Sequence, residues 1–204
     1  MQRESVYQRV LGATFGDLDP GLHLYFSRPP AGTVGIGRGI YDIAGSRHRL
    51  LRPLLAWTAW RRILFPESGR DVPFSIRNTT AADGTLRATR TFRFDRRDRT
   101  MCDAMTVVDG VLVDRLGRRG GLQAVFCATV VDGGLRLTSE RLHLRLGACR
   151  VPLPRIAVVT VDERAGVDGQ YVDVQVRSPI LGEWFRYAGS FTYDVVPEST
   201  TSSS

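Results

Sequence analysis

After Asp71 the chain offers one β-forming stretch after another with little between them but tight turns, and such a succession has to close or fold over on itself. Alternation together with β-branched and aromatic content predicts strands at 72–79, 85–94, 100–108, 111–117, 122–131, 135–146, 156–164, 170–178 and 183–195. Turn residues separate several of them, at Ala82-Asp83-Gly84, Asp109-Gly110, Asp132-Gly133-Gly134 and Val167-Asp168-Gly169. Asp109-Gly110, set directly between Val107-Val108 and Val111-Leu112, is the strongest hairpin signal. Pro152-Leu153-Pro154 interrupts the series as a corner. So many consecutive antiparallel strands do not stay flat, because a long sheet must protect its edges.

The strand patterns also say what lies inside. In 122–131, Leu122, Ala124, Phe126, Ala128 and Val130 share one face while Val125, Cys127 and Val131 share the other, so cover is expected on both. In 135–146 the apolar phase shifts from Leu135 and Leu137 to Leu142, Leu144 and Leu146, which predicts a bulge near Ser139-Glu140-Arg141. The last strand carries Phe185, Tyr187, Phe191 and Tyr193 on one face, and inward tyrosines suit a cavity better than a dry core.

Ahead of Asp71, residues 4–12 and 18–26 read as two short helices, the second preceded by Asp17 and Asp19-Pro20 as a cap. Residues 33–40 read as a strand whose Gly35, Gly37 and Gly39 leave one face bare for a close neighbour. Their spacing is not that of a dinucleotide loop. Residues 46–65 form the one substantial helix, with Leu50, Leu54, Trp57 and Leu64 near one stripe and Pro53 suited to its first turn. It is expected to cover a face or end of the sheet; a movable lid or membrane-surface helix is the functional alternative.

The opening Ser5-Val6-Tyr7-Gln8-Arg9-Val10-Leu11-Gly12, then Phe15 and Leu22-His23-Leu24-Tyr25-Phe26, resembles a bacterial family known as domain of unknown function 4166. The likeness continues through Asp71-Val72-Pro73-Phe74, Val113-Asp114-Arg115-Leu116-Gly117, Asp132-Gly133-Gly134-Leu135 and Pro152-Leu153-Pro154, and ends with Ile180-Leu181-Gly182, Tyr187 and Gly189. It covers most of residues 5–193. The resemblance implies an architecture and no reaction. It also implies a partner role beside oxidoreductases, near which such domains are often found.

Composition narrows the chemistry. With 204 residues and 43% hydrophobic content, the expectation is one β-rich domain over 1–196 and a disordered tail over 197–204. No apolar run is long enough to span a bilayer, no secretory segment is visible, and Cys102, Cys127 and Cys149 read as reduced, mostly buried thiols, so a cytoplasmic protein is expected. All 28 basic residues are arginine, which excludes lysine-amine chemistry. The net charge of +7 is scattered along the strands, so no nucleic-acid partner is expected. His23, His48 and His143 lack ligand spacing and no nucleophile elbow is present, so neither metal nor cofactor is expected.

What stays are polar residues in otherwise apolar strands: Arg90, Asp103, Glu140, His143, Asp162, Glu163, Tyr187 and Tyr193. A carboxylate on an inner face is desolvated and becomes a candidate acid or base. Asp103, flanked by Met101 and Met105 on its own face, and Tyr187, which stands where the family also has a tyrosine, are the candidate catalytic residues. Trp57, Met105, Phe126, Glu140, Trp184, Phe191 and Tyr193 are the candidate pocket residues. The expectation is a strongly curved antiparallel sheet or closed, lipocalin-like β-barrel with two short N-terminal helices and one longer covering helix. It is expected to hold an apolar small molecule as a cofactor-free cyclase or isomerase on a polyketide- or terpenoid-like substrate. The alternative is a non-catalytic accessory domain partnering an oxidoreductase. A homodimer stays open, and a membrane-surface role is the remote option.

Overall fold

A computed structural model describes residues 4–146, 149–154, 157–167 and 169–198. Asp109-Gly110 (φ 51° and 77°) and Asp132-Gly133 (φ 50° and 75°) take the doubly left-handed conformation of tight hairpins, whose twist matches that of the strands they join. The strands are β1 Thr33–Gly45, β2 Ser68–Thr80, β3 Leu86–Phe94, β4 Arg97–Val108, β5 Val111–Leu116, β6 Leu122–Val131, β7 Gly134–Leu146, β8 Cys149–Pro152, β9 Val158–Gly166, β10 Gly169–Ser178 and β11 Gly182–Pro197. All pairings are antiparallel. They run β6-β5-β4-β3-β2-β1-β11-β10-β9-β7, and β6 pairs back onto β7, so ten strands close into a barrel; β8 pairs only with β7 and stands outside the ring. The closed barrel expected from the hairpin series is the fold the chain adopts.

Two irregularities shape it. In β7 the partners step from Val125–Arg141 to Phe126–Ser139, leaving Glu140 as the extra residue of a bulge. The phase change in the leucines located it correctly. Before the bulge β7 pairs with β9, from Leu135–Glu163 to Thr138–Thr160; after it β7 pairs with β8, from His143 to Leu146. The Ser139 hydroxyl accepts from the Val159 amide (2.8 Å) as the last tie before β7 and β9 part. In β1 the register skips Asp42 between Tyr41 and Ile43, and the strand continues to Gly45 rather than ending at Ile40. The bulge flips the inward phase, which hid the second half of the strand from an alternation reading.

Gly35 and Gly37 do lie under close neighbours. A Cβ at Gly35 would meet the Tyr193 ring, and one at Gly37 would meet Ile76 and Phe191. The bare face is therefore filled by cross-strand aromatics. Tyr25 packs edge-on against both rings (5.4 Å to Phe191, 4.8 Å to Tyr193) and so docks the N-terminal helices on that row.

Helix α1, Val6–Leu11, begins with a reciprocal cap in which the Gln8 amide donates to Ser5 Oγ (3.0 Å) and the Ser5 amide to Gln8 Oε1 (2.8 Å). The Ser5 hydroxyl donates in turn to the Phe26 carbonyl (2.6 Å), tying α1 to α2, His23–Phe26. Asp19 caps a 3₁₀ turn, Pro20–Leu22, that leads into α2. Tyr7, Leu22, Tyr25 and Phe26 are buried over one end of the barrel.

The expected helix over 46–65 is shorter: a 3₁₀ turn, Arg49–Leu51, then α3, Arg52–Trp60, with Pro53 in its first turn. Arg62 takes φ 59° and ends it, after which Ile63 and Phe65 turn into the barrel and are buried. Of α3 only Leu55 is buried; Leu50 faces outward, and Leu54 and Trp57 are about half exposed. Cys127 and Cys149 are exposed and Cys102 is half-buried, which corrects the expectation of mostly buried thiols. Cys127 lies on the outer face of β6, where cover reaches Val125 but not Cys127 or Val131. Of the tail expected over 197–204, Pro197 ends β11 and the Glu198 amide donates to the Gly32 carbonyl (2.8 Å), which corrects the expectation there. The rest of it, the start of a strand at 156 and Asp168 of one turn lie outside the described residues.

Candidate functional site

The large side chains of the inner face do not fill the barrel. A cavity of about 260 Å³ is left, walled by Ile76, Leu116, Phe126, Leu137, Val161, Val174 and their neighbours. Tyr7 and Tyr25 are buried where α1 and α2 cover one end. At the other end the wall is formed by Leu54 and Trp57 of α3, each about half exposed, and by Leu142, Leu144, Leu153, Ala157 and Trp184 where β7 has left β9. The bulge at Glu140 thus splays the strands at the mouth, and α3 lies across it.

Into this apolar chamber project one guanidinium and three carboxyls: Arg90 from β3, Asp103 from β4, Asp114 from β5 and Glu163 from β9. Arg90 Nη1 donates to Asp103 Oδ1 as a charge-assisted bond. Burial works against the Arg90 charge, but Asp103 and, behind it, Tyr187, Tyr25 and Tyr41 together outweigh it and hold the guanidinium well above its ordinary value. Burial pushes the Asp103 carboxyl up, with Arg90 opposing. Asp114 sits one step along the neighbouring strand, opposite Met105, without a guanidinium of its own. Burial first, and then the Asp103 charge, hold it well above the carboxylate range. Its Oδ1 has no hydrogen-bond partner among the described residues. Glu163 accepts from the Gln170 amide, and burial raises it from the ordinary 4.5 to about 7 against the pull of Arg90. Four tyrosines complete the polar lining. Tyr7 donates to Met105 Sδ (3.4 Å), and burial pushes Tyr187 up to about 12. The chamber therefore holds an Arg90–Asp103 ion pair, an Asp114 whose protonated form burial favours, and a Glu163 poised between its two forms near neutral pH, in largely apolar walls.

Both candidate catalytic residues, Asp103 and Tyr187, line this cavity, as do Trp57, Met105, Phe126, Trp184 and Phe191. Glu140 does not: as the extra residue of the bulge it is exposed on the outside, a correction that follows from the very irregularity the leucines announced. Tyr193 lies outside the cavity, half-buried over Gly35, and accepts from Asn78 Nδ2 (3.2 Å). Asp162 faces outward and pairs with Arg136 (2.5 Å). Sequence reasoning missed Asp114, although Leu112, Asp114 and Leu116 alternate along one face of β5 and Leu112 is fully buried. It also missed Tyr7, Tyr25 and Tyr41, whose place depends on which end of the barrel the helices cover.

The family model for domain of unknown function 4166 matches residues 18–191, a span that contains all four buried charged groups. The chain belongs to this family. The opening motif at 5–12 lies ahead of the DUF4166 match, although the helix it forms contributes Tyr7 to the cavity. The uncharacterised protein YndH of Bacillus subtilis (strain 168) is 30% identical over 199 residues, covering 92% of this chain and 96% of that protein. No solved structure matches. Membership in DUF4166 brings no reaction with it, so the chemistry has to be argued from the chamber. No helix among the described residues is long and apolar enough to cross a membrane.

Proposed function

We propose that the barrel takes an apolar small molecule through the α3 mouth and rearranges it without a cofactor, as an isomerase or cyclase. One observation carries this reading: an apolar cavity retains three buried carboxyls for one guanidinium, and burial pushes all three upward. Such an arrangement is costly in an interior that only has to pack, and it is what acid–base chemistry at neutral pH requires. Asp114, whose protonated form burial favours and whose Oδ1 is unpartnered among the described residues, donates to a carbonyl oxygen or π-system of the guest. Glu163, in its ionised fraction, accepts a proton from carbon. The proton gained and the proton lost balance, so the product is an isomer of the substrate and no redox partner is needed. Arg90 holds Asp103 in place beside Asp114, where its charge adds to the effect of burial in favouring the protonated acid. The volume sets the substrate class. A cavity of roughly 150 Å³ holds a benzene ring, so about 260 Å³ suits a guest of around ten non-hydrogen atoms. That favours a small terpenoid or a compact ring system over an extended polyketide.

The test is native mass spectrometry on protein from its own host, paired with titration of a solvatochromic apolar dye. The expected result is a retained apolar compound, or saturable one-to-one dye binding that Val161→Trp, which fills the cavity, abolishes. Dye binding untouched by Val161→Trp overturns the lumen as the site. A guest recovered chemically unchanged after prolonged incubation overturns the catalytic part and leaves a carrier.

A further inference from the structure

We infer that the mouth of the barrel docks on an anionic membrane surface. Leu50, Leu54, Trp57 and Trp60 recur at the spacing of one helical face and are 95%, 50%, 48% and 68% exposed. The turn between β10 and β11 adds Ile180 and Leu181, 93% and 43% exposed. The His48 ring binds the Glu183 carbonyl (3.1 Å) and holds that turn beside the start of the α3 segment. Six large apolar side chains thus crown one end of the molecule, left exposed by the described residues.

Their charge setting selects the partner. From Ile43 to Pro66 the sequence contains Arg47, Arg49, Arg52, Arg61 and Arg62 and no acidic residue. Among the described residues none of these five is in an ion pair. The nearby carboxylates are engaged elsewhere, Glu67 with Arg99 (2.6 Å) and Glu183 with Arg177 (3.8 Å). The Arg61 guanidinium lies over both the Trp57 and Trp60 rings (5.8 and 5.7 Å), which keeps two indoles at the surface with a cation beside them. Indoles, leucines and unpaired arginines on one face match the headgroup boundary of an anionic bilayer. A second copy of the chain does not fit, since pairing two such faces would bring ten arginines together while the nearby carboxylates Glu67 and Glu183 are already engaged. Leu54 and Trp57 belong both to this face and to the cavity wall, so a membrane seated here opens directly onto the lumen. The docking stands on the surface alone; its purpose, delivery of an apolar guest from the bilayer, rests on the reading of the lumen above.

The test is flotation of the full chain with vesicles of pure phosphatidylcholine and of phosphatidylcholine with about 30% phosphatidylglycerol, each at about 50 mM and about 500 mM salt. The expected result is at least about tenfold more binding to the anionic vesicles at low salt, lost at high salt, with a blue shift of tryptophan emission. Leu50→Asp/Trp60→Asp, two exposed positions outside the cavity wall, should abolish it. The same variant should leave dye binding in the lumen unchanged, which shows that the barrel is intact. Equal binding to neutral and anionic vesicles, or binding that survives the double substitution, overturns the inference. A concentration-dependent dimer dissolved by the double substitution would instead assign the face to a second copy. Vesicle binding without dye binding removes the lumen reading and leaves the docking in place.

Discussion

Glu163 is a group that the fold holds at a cost, and the cost can be measured as a function of pH. Its carboxyl is 6% exposed and titrates at about 7 in the folded chain against an ordinary 4.5. An acid whose folded pKa is raised binds more protons in the native state than in the unfolded one, so stability falls as pH rises between the two values. The penalty is nearly absent below pH 4.5 and fully present above about pH 7. At about 1.4 kcal/mol per pKa unit it reaches roughly 3 kcal/mol. Glu163→Gln keeps the shape and an amide oxygen to accept from Gln170 but cannot ionise. For a chain of this size 1 kcal/mol moves Tm by about 2–4 °C. The variant should therefore melt about 6–12 °C above the parent at pH 8 and within about 2 °C of it near pH 4.5. Thermal melts of both proteins by circular dichroism across that range measure the difference, in which the titration of every other group cancels. An offset that does not change with pH refutes the argument, and so does a variant less stable at pH 8.

The Arg90–Asp103 pair should behave as a unit: Arg90→Met strands a buried carboxylate and costs about 3–5 kcal/mol, whereas Arg90→Met/Asp103→Leu recovers most of it. Urea midpoints of the two singles and the double give the coupling. Gly39→Ala should fail to fold or lose more than about 3 kcal/mol, because its Cβ would lie 2.0 Å from the Ser190 carbonyl oxygen of β11, where only backbone could yield. Soluble yield and urea unfolding measure it; a near-neutral alanine would mean that β1 and β11 are not that close.

The hairpins were legible because tight turns are written in adjacent residues. Asp109-Gly110 and Asp132-Gly133 need no distant information to take positive φ. The bulge at Glu140 was legible for a similar reason, since a change in leucine phase is local. Its consequence was not. Alternation counted through an irregularity sends the extra residue to the wrong face, which is how Glu140 came to be expected inside. The α3 stripe shows a different limit. Periodicity identifies two faces of a helix but not which is covered, and here Ile63 and Phe65 are buried in the barrel while Leu50 stays out and Leu54 and Trp57 sit half exposed at its mouth. Asp103 could be picked out from the methionines flanking it. Asp114 carries a comparable local signal, between Leu112 and Leu116 on the strand that the Asp109-Gly110 hairpin pairs with β4, but only the closed barrel shows that this face turns inward beside Asp103.

The same substitution that measures the cost of Glu163 also separates the two uses of the chamber. If the carboxyl moves protons, Glu163→Gln must gain stability at neutral pH and lose turnover, two effects of opposite sign from one atom exchanged. Asp114→Asn should follow the same pattern, because burial raises its carboxyl too, with the Asp103 charge adding to it. A carrier makes no such demand. In a barrel that only holds its guest, both amides should stabilise the fold and leave binding intact, and the ionisable forms would contribute nothing that offsets their burial. Stability and guest conversion, measured on the same two variants at pH 8, therefore decide whether the buried acids are there for chemistry.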